Sequence, residues 1–315
     1  MVEHFSENGI IIPENFINSE VDIDELIENS DVVLEDNILY EIESDFHDIS
    51  VCQNSVGKFL KYGISIQAGL IDTTKYSGNI PYLNYFLLNY LLKKDAKKIL
   101  LIGFGIGHLV NQFETLFDKL ENIDAIDIEE NVIPISEKYF GFKISEKFTF
   151  RLQDALVFLR ENKTKYDIII VDVAGDEGID ERFFQDDFFV NIKKSLAKDG
   201  VLSFNSCANT DFSEDENNFY GYTIKKYKEH FNNFAVFNGR TSTYTYYNSI
   251  YGLSNDDIFS ALDITNAIFF ATDNSLIFNN FKDINNLDLT KITKLGVDIN
   301  LYLQDLHKIY NKNGF

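Results

Sequence analysis

Lys98-Ile-Leu-Leu-Ile-Gly-Phe-Gly-Ile-Gly-His108 is the stretch from which the fold can be read. Four consecutive apolar residues, Ile99 to Ile102, form a run without alternation, which predicts a strand buried on both faces inside a parallel sheet. Gly103, Gly105 and Gly107 then allow a sharp turn and a close backbone approach to a ligand, where a Cβ would collide. A helix is expected to follow, over roughly His108 to Phe117. A Gly-x-Gly-x-Gly alone fits any tight strand-to-helix turn, so its continuation decides. Ile123-Asp-Ala-Ile-Asp-Ile-Glu129 is a second apolar strand with acidic side chains about 20 residues after the glycines, where nucleotide-binding sheets hold a carboxylate against ribose. Phe148-Thr-Phe-Arg-Leu-Gln-Asp-Ala155 ends in Asp154-Ala155, and Tyr166-Asp-Ile-Ile-Ile-Val-Asp172 carries Asp172 to a strand's carboxyl end. Ligands of open α/β sheets bind at those ends, so the four termini predict a nucleoside site.

Outward from this centre, strand and helix patterns alternate down to about Phe204, with Phe188 to Leu196 helical and Asp199-Gly200 a turn into Val201 to Phe204. This predicts a parallel sheet with right-handed crossovers. Further on, Tyr222 to Phe231 reads as helix and Phe234 to Phe237 as strand. Tyr244 to Gly252 is loop-like, Ala267 to Ala271 a strand, and Ile299 to Tyr310 a closing helix. Upstream, Ile38 to Glu43, Ile49 to Gln53 and Lys58 to Tyr62 are short β-rich runs separated by turn residues, as in an antiparallel hairpin unit. Residues 72–81 read as a polar loop and Tyr82 to Lys93 as an apolar helix. The expected organisation is an extension over 1–36 with a short helix, a small β-rich domain over 37–93 with its lead-in helix, and a nucleoside-binding catalytic domain over 94–315.

The bulk composition narrows the function classes. With 315 residues and 45% hydrophobic content the chain can bury a large core. A formal net charge of −22 argues against a phosphate-backbone binder, whose affinity comes from Lys and Arg. It is compatible with a cationic small molecule, although a solvated acidic surface that aids solubility is the simpler cause of the bulk charge. Two cysteines far apart and five scattered histidines give no disulfide framework and no metal-ligand spacing, so no metal is expected. Met1-Val-Glu-His-Phe-Ser carries no signal-peptide pattern, and no apolar run reaches the ~20 residues needed to span a bilayer. A cytoplasmic chain with no nucleic-acid and no membrane partner is the expectation.

From Ile38 to about Ala271 the chain resembles the spermidine synthase (polyamine aminopropyltransferase) family. Tyr40-Glu-Ile-Glu-Ser-Asp-Phe-His-Asp-Ile-Ser-Val51 is similar to its opening strands, and Gly57-Lys-Phe-Leu60 and Gln67 follow in order. Tyr82 matches the tyrosine of a Tyr-His-Glu motif, and the glycine turn resembles Gly-Gly-Gly-Asp-Gly. The resemblance implies an α/β fold, a Rossmann-like, methyltransferase-type domain preceded by a small antiparallel β domain. It implies decarboxylated S-adenosylmethionine as donor, an amine substrate such as putrescine, and a homo-oligomer, with a dimer expected. It places Asp127 on the donor's ribose, Asp154 and Ala155 at adenine, Gln67 at the ligand and Asp172 at the reacting amine. Asp176 and Asn205, close to the positions of the family's amine-binding residues, are substrate-binding candidates, and for Asp176 with Glu177 a solvated turn is the alternative.

The chain departs from the family at several points. Ile106 stands where the glycine loop has an Asp that contacts the donor's free amine, and Gly175 replaces the second Asp of Asp-Ser-Ser-Asp, with Asp176 one position later. Gly78-Asn79 replace an Asp-Glu pair, Leu83-Asn84 a His-Glu, and His47 and Asn205 each a Gln. The nucleoside half of the site is thus kept better than the amine half.

Aminopropyl transfer needs a neutral amine attacking a carbon beside a sulfonium. A primary amine is protonated near pH 7, so a carboxylate and a hydroxyl should bind it and take its proton. Asp172 and Tyr82 are the catalytic candidates on this reading. The bland alternatives are a strand-end turn carboxylate and a core tyrosine, and His47 and His108 read as surface or satisfied core histidines. The missing acids leave room for a methyl or aminocarboxypropyl transferase using intact S-adenosylmethionine, and for a catalytically silent relative. An NAD dehydrogenase rests on the glycine spacing alone.

Overall fold

Ile99 to Ile102 are all buried, and they alternate. Ile99 and Leu101 enter the core on one side of the sheet, Leu100 and Ile102 the core on the other. Ile168 and Ile170 against Ile169 and Val171 repeat the division one strand over. A strand with period-two geometry can bury four consecutive apolar residues only when layers cover both faces, and helices do so here. In this computed structural model the described residues are 23–30, 34–72, 77–173, 178–209, 211–256, 264–274 and 288–312, with positions 32, 258, 262, 278 and 281 between them.

Five antiparallel strands form the first sheet, in the order β1 (Asn37–Glu43), β2 (Asp48–Asn54), β3 (Gly57–Tyr62), β4 (Ser65–Asp72) and β5 (Ser77–Asn79). The larger, mixed sheet has eight strands. β8 (Phe148–Leu152), β7 (Asn122–Asp127), β6 (Lys98–Ile102), β9 (Tyr166–Val171) and β10 (Leu196–Asn209) run parallel. β12 (Ile264–Thr272), β11 (Asn233–Phe237) and β13 (Leu306–Asn311) continue it antiparallel. The chain leaves β6 for β7 on one side, while β9 pairs with β6 on the other. The carboxyl ends of β6 and β9 therefore flank the switch point where α/β sheets bind ligands. The α/β architecture, with a small antiparallel sheet ahead of a Rossmann-like one, is as the sequence led us to expect.

Several elements differ from the sequence reading. Within 72–81, β5 pairs with β4, while 73–76 lie outside the described residues. The segment after it is a 3-10 helix, Pro81–Leu88, passing into a short α-helix, Asn89–Leu92. All of its eight residues except Tyr82 are buried, and Tyr82 and Leu83 are the two that line the cleft. Tyr244 to Gly252 belongs to a helix, Arg240–Tyr251, between Gly239 and Gly252, both left-handed. Aromatic and β-branched residues weaken its intrinsic preference, and packing of Ile250 with Val56, Phe59 and Ile71 overrides it. The C-terminal run is a helix only over Ile299–Leu303, capped by Asp298, after which β13 pairs with β11. Buried Asp305 sits at the change of direction, accepting hydrogen bonds from the Tyr85 hydroxyl and from the Thr241 N–H at 2.6 Å. β10 begins earlier than expected. Asp199, at φ 59°, marks the turn inside it, and regular pairing resumes at Val201 opposite Ile168.

The two sheets meet over the glycine loop. Ile49, Val51, Leu60 and Ala68 of the small sheet close an apolar cluster with Ile106, Ile135 and Phe140. Across the same junction Ser44 donates to the buried Glu129 carboxylate. Lys58 donates to the carbonyl of Tyr139 at 3.1 Å.

Candidate active site

Gly103 explains how the site is assembled. It has φ 88°, and a Cβ there would lie 2.0 Å from the carbonyl oxygen of Asp172. Only a glycine lets β6 turn while β9 delivers Asp172 alongside, with the Asp172 N–H donating to Ile102 and the Gly103 N–H to Ile126, both at 2.9 Å. A Cβ at Gly105 (φ 58°) would meet only the Ala68 side chain, at 3.6 Å, so this glycine serves the turn and the cleft wall. Gly107 (φ 73°) does not line the cleft. A Cβ there would strike Phe142 and Phe104, and it initiates the helix His108–Leu116.

A cleft of about 860 Å³ opens above these strand ends, between the small sheet and the large one. Asp172, Tyr82 and Asn205 lie in its wall and form one hydrogen-bonded group. The Tyr82 hydroxyl donates to one carboxylate oxygen of Asp172 at 3.1 Å, and the Asn205 amide donates to the other at 3.0 Å. Burial pushes Asp172 up to about 6, partly offset by those two donors. Burial, with the Asp172 charge beside it, also holds the Tyr82 hydroxyl far above its ordinary value, so it stays protonated and donates. The Asn205 amide oxygen is buried and has no hydrogen-bond partner among the described residues. An acceptor left so in a cleft wall is a site for a ligand N–H.

Along the cleft lie Asp127, Asp154, Ala155 and Gln67. Asp127 accepts from the Phe104 N–H at 2.9 Å and the Glu129 N–H at 3.0 Å, fixing the glycine loop to the end of β7. Burial raises its pKa, and these amide donors hold it back. The carboxylate keeps acceptor capacity for a further donor. Asp154 caps the helix Ala155–Glu161 through the Leu156 and Val157 N–H groups, and its second oxygen meets Arg182 at 3.3 Å. The carboxylate is thus a helix cap as well as a cleft residue. Asp176, with Gly175 and Glu177, lies outside the described residues.

Sequence reasoning missed three contributors. Arg182 is the one Lys or Arg among the described lining residues, held by Asp180 and Asp154. Phe183 and Ile128 give the cleft apolar wall near Asp154 and Asp127. His47 is not a surface histidine. It stacks on Tyr62 with centroids 4.1 Å apart and faces the cleft, as His108 does. Asp180-Glu181-Arg182, following the strand-end Asp172, was the available signal for Arg182. The stacking of His47 depends on the register of β2 with β3, which places Ile49 opposite Tyr62. Ile106 is 4% exposed and belongs to the apolar cluster beneath the small sheet, so the loop's fourth position serves packing rather than charge.

Residues 88–259 match the family model of the spermine/spermidine synthase domain. The chain is 28% identical over 199 residues to a polyamine aminopropyltransferase of Clostridium botulinum, covering 62% of this chain and 65% of that one. It is 30% identical over 185 residues to a spermine synthase of Saccharomyces cerevisiae, covering 55% and 60%. The matched stretch thus spans less than two thirds of those relatives' own lengths. The fold is similar to that of a spermidine synthase crystallised with the transition state analogue AdoDATO. That likeness has a TM-score of 0.61 at 17% identity over 86% of this chain and 85% of that one. Among the described residues no helix is long and apolar enough to cross a membrane.

Proposed function

The chain belongs to the spermine/spermidine synthase family, and on that premise we propose that it is a transferase moving an aminopropyl group from decarboxylated S-adenosylmethionine to a polyamine such as putrescine. The observation that carries this reading is the Asp172 carboxylate, set deep in the cleft between the Tyr82 hydroxyl and the Asn205 amide at 3.1 and 3.0 Å. A carboxylate at about 6 is ionised at pH 7 yet basic enough to take a proton.

On this reading the acceptor enters as an ammonium, near pKa 10 as in lysine, and binds Asp172. The carboxylate takes one proton, which passes to solvent. The freed nitrogen lone pair attacks the methylene carbon beside the sulfonium. The carbon–nitrogen bond forms as the carbon–sulfur bond breaks, and its electron pair stays on sulfur, leaving a neutral methylthio nucleoside. Tyr82 and Asn205 fix both carboxylate oxygens, and the unpartnered Asn205 oxygen suits a second N–H of the amine. Asp127 suits the ribose hydroxyls. Ala155, Ile128 and Phe183 give an apolar wall suited to adenine. Gln67 is assigned to the donor by the family motif and Asp176, one position beyond that motif's second Asp, to the cationic substrate; a homodimer and a cytoplasmic location belong to the same reading.

Ile106 favours one competing reading, a transferase that uses intact S-adenosylmethionine, because the loop carries no carboxylate for the donor's amine. A thermal-shift panel with the decarboxylated donor, intact S-adenosylmethionine and methylthioadenosine, followed by product analysis with putrescine, decides. Ligand at about 100 times its dissociation constant stabilises by roughly 2.7 kcal/mol. Spermidine as product supports aminopropyl transfer. A larger shift with the intact donor, and no spermidine, moves the assignment to the competing reading. No shift with any nucleoside sinks both.

A further inference from the structure

His108 is the first residue of the helix His108–Leu116, placed by the left-handed Gly107 between two buried neighbours, Ile106 and Leu109. Its imidazole lines the cleft, and among the described residues it has no hydrogen-bond or ring partner. Every carboxylate of the described lining already holds protein donors, and the reading above gives the remaining lone pairs of Asp127 to ribose and those of Asp172 to the acceptor. Asp127 holds the Phe104 and Glu129 amides, Asp154 its helix and Arg182, and Asp180 the same arginine. Asp172 holds Tyr82 and Asn205. The glycine loop adds no charge, since Ile106 is in the apolar cluster.

The chain to be transferred runs from the sulfonium past the attacked carbon and ends in an amine, which needs a polar contact in an enclosed cleft. We propose that His108 supplies it, as a neutral imidazole accepting a hydrogen bond from the amino group at the end of the donor's transferred chain. This rests on the donor reading above. Two features keep the ring neutral: burial takes it down to about 4, and the positive end of the helix lies at its backbone. A neutral imidazole has one lone pair free for an ammonium N–H. The contact is charge-assisted on the donor's side only, so it selects an amine without a carboxylate partner. A carboxylate on the same carbon finds no unpaired Lys or Arg among the described lining residues, because Arg182 is held by Asp154 and Asp180.

The test is calorimetric titration of the full chain, and of His108→Ala and His108→Gln, with decarboxylated S-adenosylmethionine and with methylthioadenosine, which lacks the amine-bearing chain. The wild type should bind the decarboxylated donor more tightly. His108→Ala should lose roughly 10- to 100-fold for that donor, the value of one hydrogen bond to a charged group. Affinity for methylthioadenosine should stay within about twofold, and His108→Gln, which keeps an acceptor, should recover part of the loss. Equal losses for both ligands, or no loss for either, overturn the assignment, as does a wild type with no preference between them. A wild type that binds neither overturns the donor reading itself, and this inference with it.

Discussion

Replacing Asp172 by Asn should destroy activity and raise stability, and the structure sets both magnitudes. The carboxylate rises from 3.8 to about 6 on folding, chiefly through burial. At about 1.4 kcal/mol per tenfold change in proton affinity, keeping it ionised costs the fold ~3 kcal/mol. The sign follows from proton counting. Between pH 3.8 and about 6 the folded state holds a proton that the unfolded state has released, so stability falls as pH rises through that window. The amide that replaces the carboxylate has no charge to desolvate. Tyr82 can still donate to its oxygen, and rotation of the Asn205 amide turns the oxygen that now lacks a partner towards the new NH₂. Asp172→Asn should therefore match the wild type near pH 4, gain over it as pH rises to about 6, and level off ~1–3 kcal/mol more stable at about pH 8. Loss of the proton acceptor should lower kcat by roughly 10²–10⁴-fold. Urea unfolding of both proteins across this pH range, with product assays at about pH 8, measures both. A variant equally or less stable at pH 8, or one that keeps its rate, would refute the account of Asp172 as a strained base.

Tyr82→Phe removes a donor that lowers the pKa of Asp172, so the acid limb of the kcat/KM profile, near 6 in the wild type, should move up by roughly half a unit to one unit; an unmoved limb argues that another group titrates. Gly103→Ala brings a Cβ against the Asp172 carbonyl at a left-handed φ, and thermal unfolding should show a loss of about 2–4 kcal/mol together with lost donor binding. Ile106→Asp restores the family's loop residue but buries a carboxylate among Val51, Leu60 and Ala68, so denaturant titration at neutral pH should show it ~2–4 kcal/mol less stable. Wild-type stability in that variant would mean that the carboxylate is solvated from the cleft, which Ile106 also lines.

What was legible in the sequence was whatever strong local pattern enforces. Ile99 to Ile102 cannot bury four apolar residues in a row except inside a two-sided sheet, and the glycines and strand-end acids then fix where the cleft lies. Asp127, Asp154, Ala155 and Asp172 reached that cleft because a strand's end is its address. The misses fell where tertiary context decides. Arg240–Tyr251 is helical because it is packed and capped at both ends, against its own residue preferences. Ile299 to Tyr310 has spacing that serves a helix or a strand, and buried Asp305 breaks it in two. His108 read as an ordinary histidine because no spacing marks a side chain whose distinction is the partner it lacks.

The joint between β6 and β9 has a consequence for how such a site changes over time. Gly103 and Asp172 are registered to their neighbouring strands through main-chain groups, the Asp172 amide on the Ile102 carbonyl and the Gly103 amide on the Ile126 carbonyl, while Asp127 is tied in through its carboxylate on the Phe104 amide. Main-chain bonds survive substitution of the side chains beside them. The spacing of the ends of β6, β7 and β9 is thus inherited with the backbone, as a jig fixed before any reagent is clamped in it. Cleft residues outside this frame, such as Gln67 on β4 or Phe183, can then be exchanged one at a time without Gly103 and Asp172 losing their alignment.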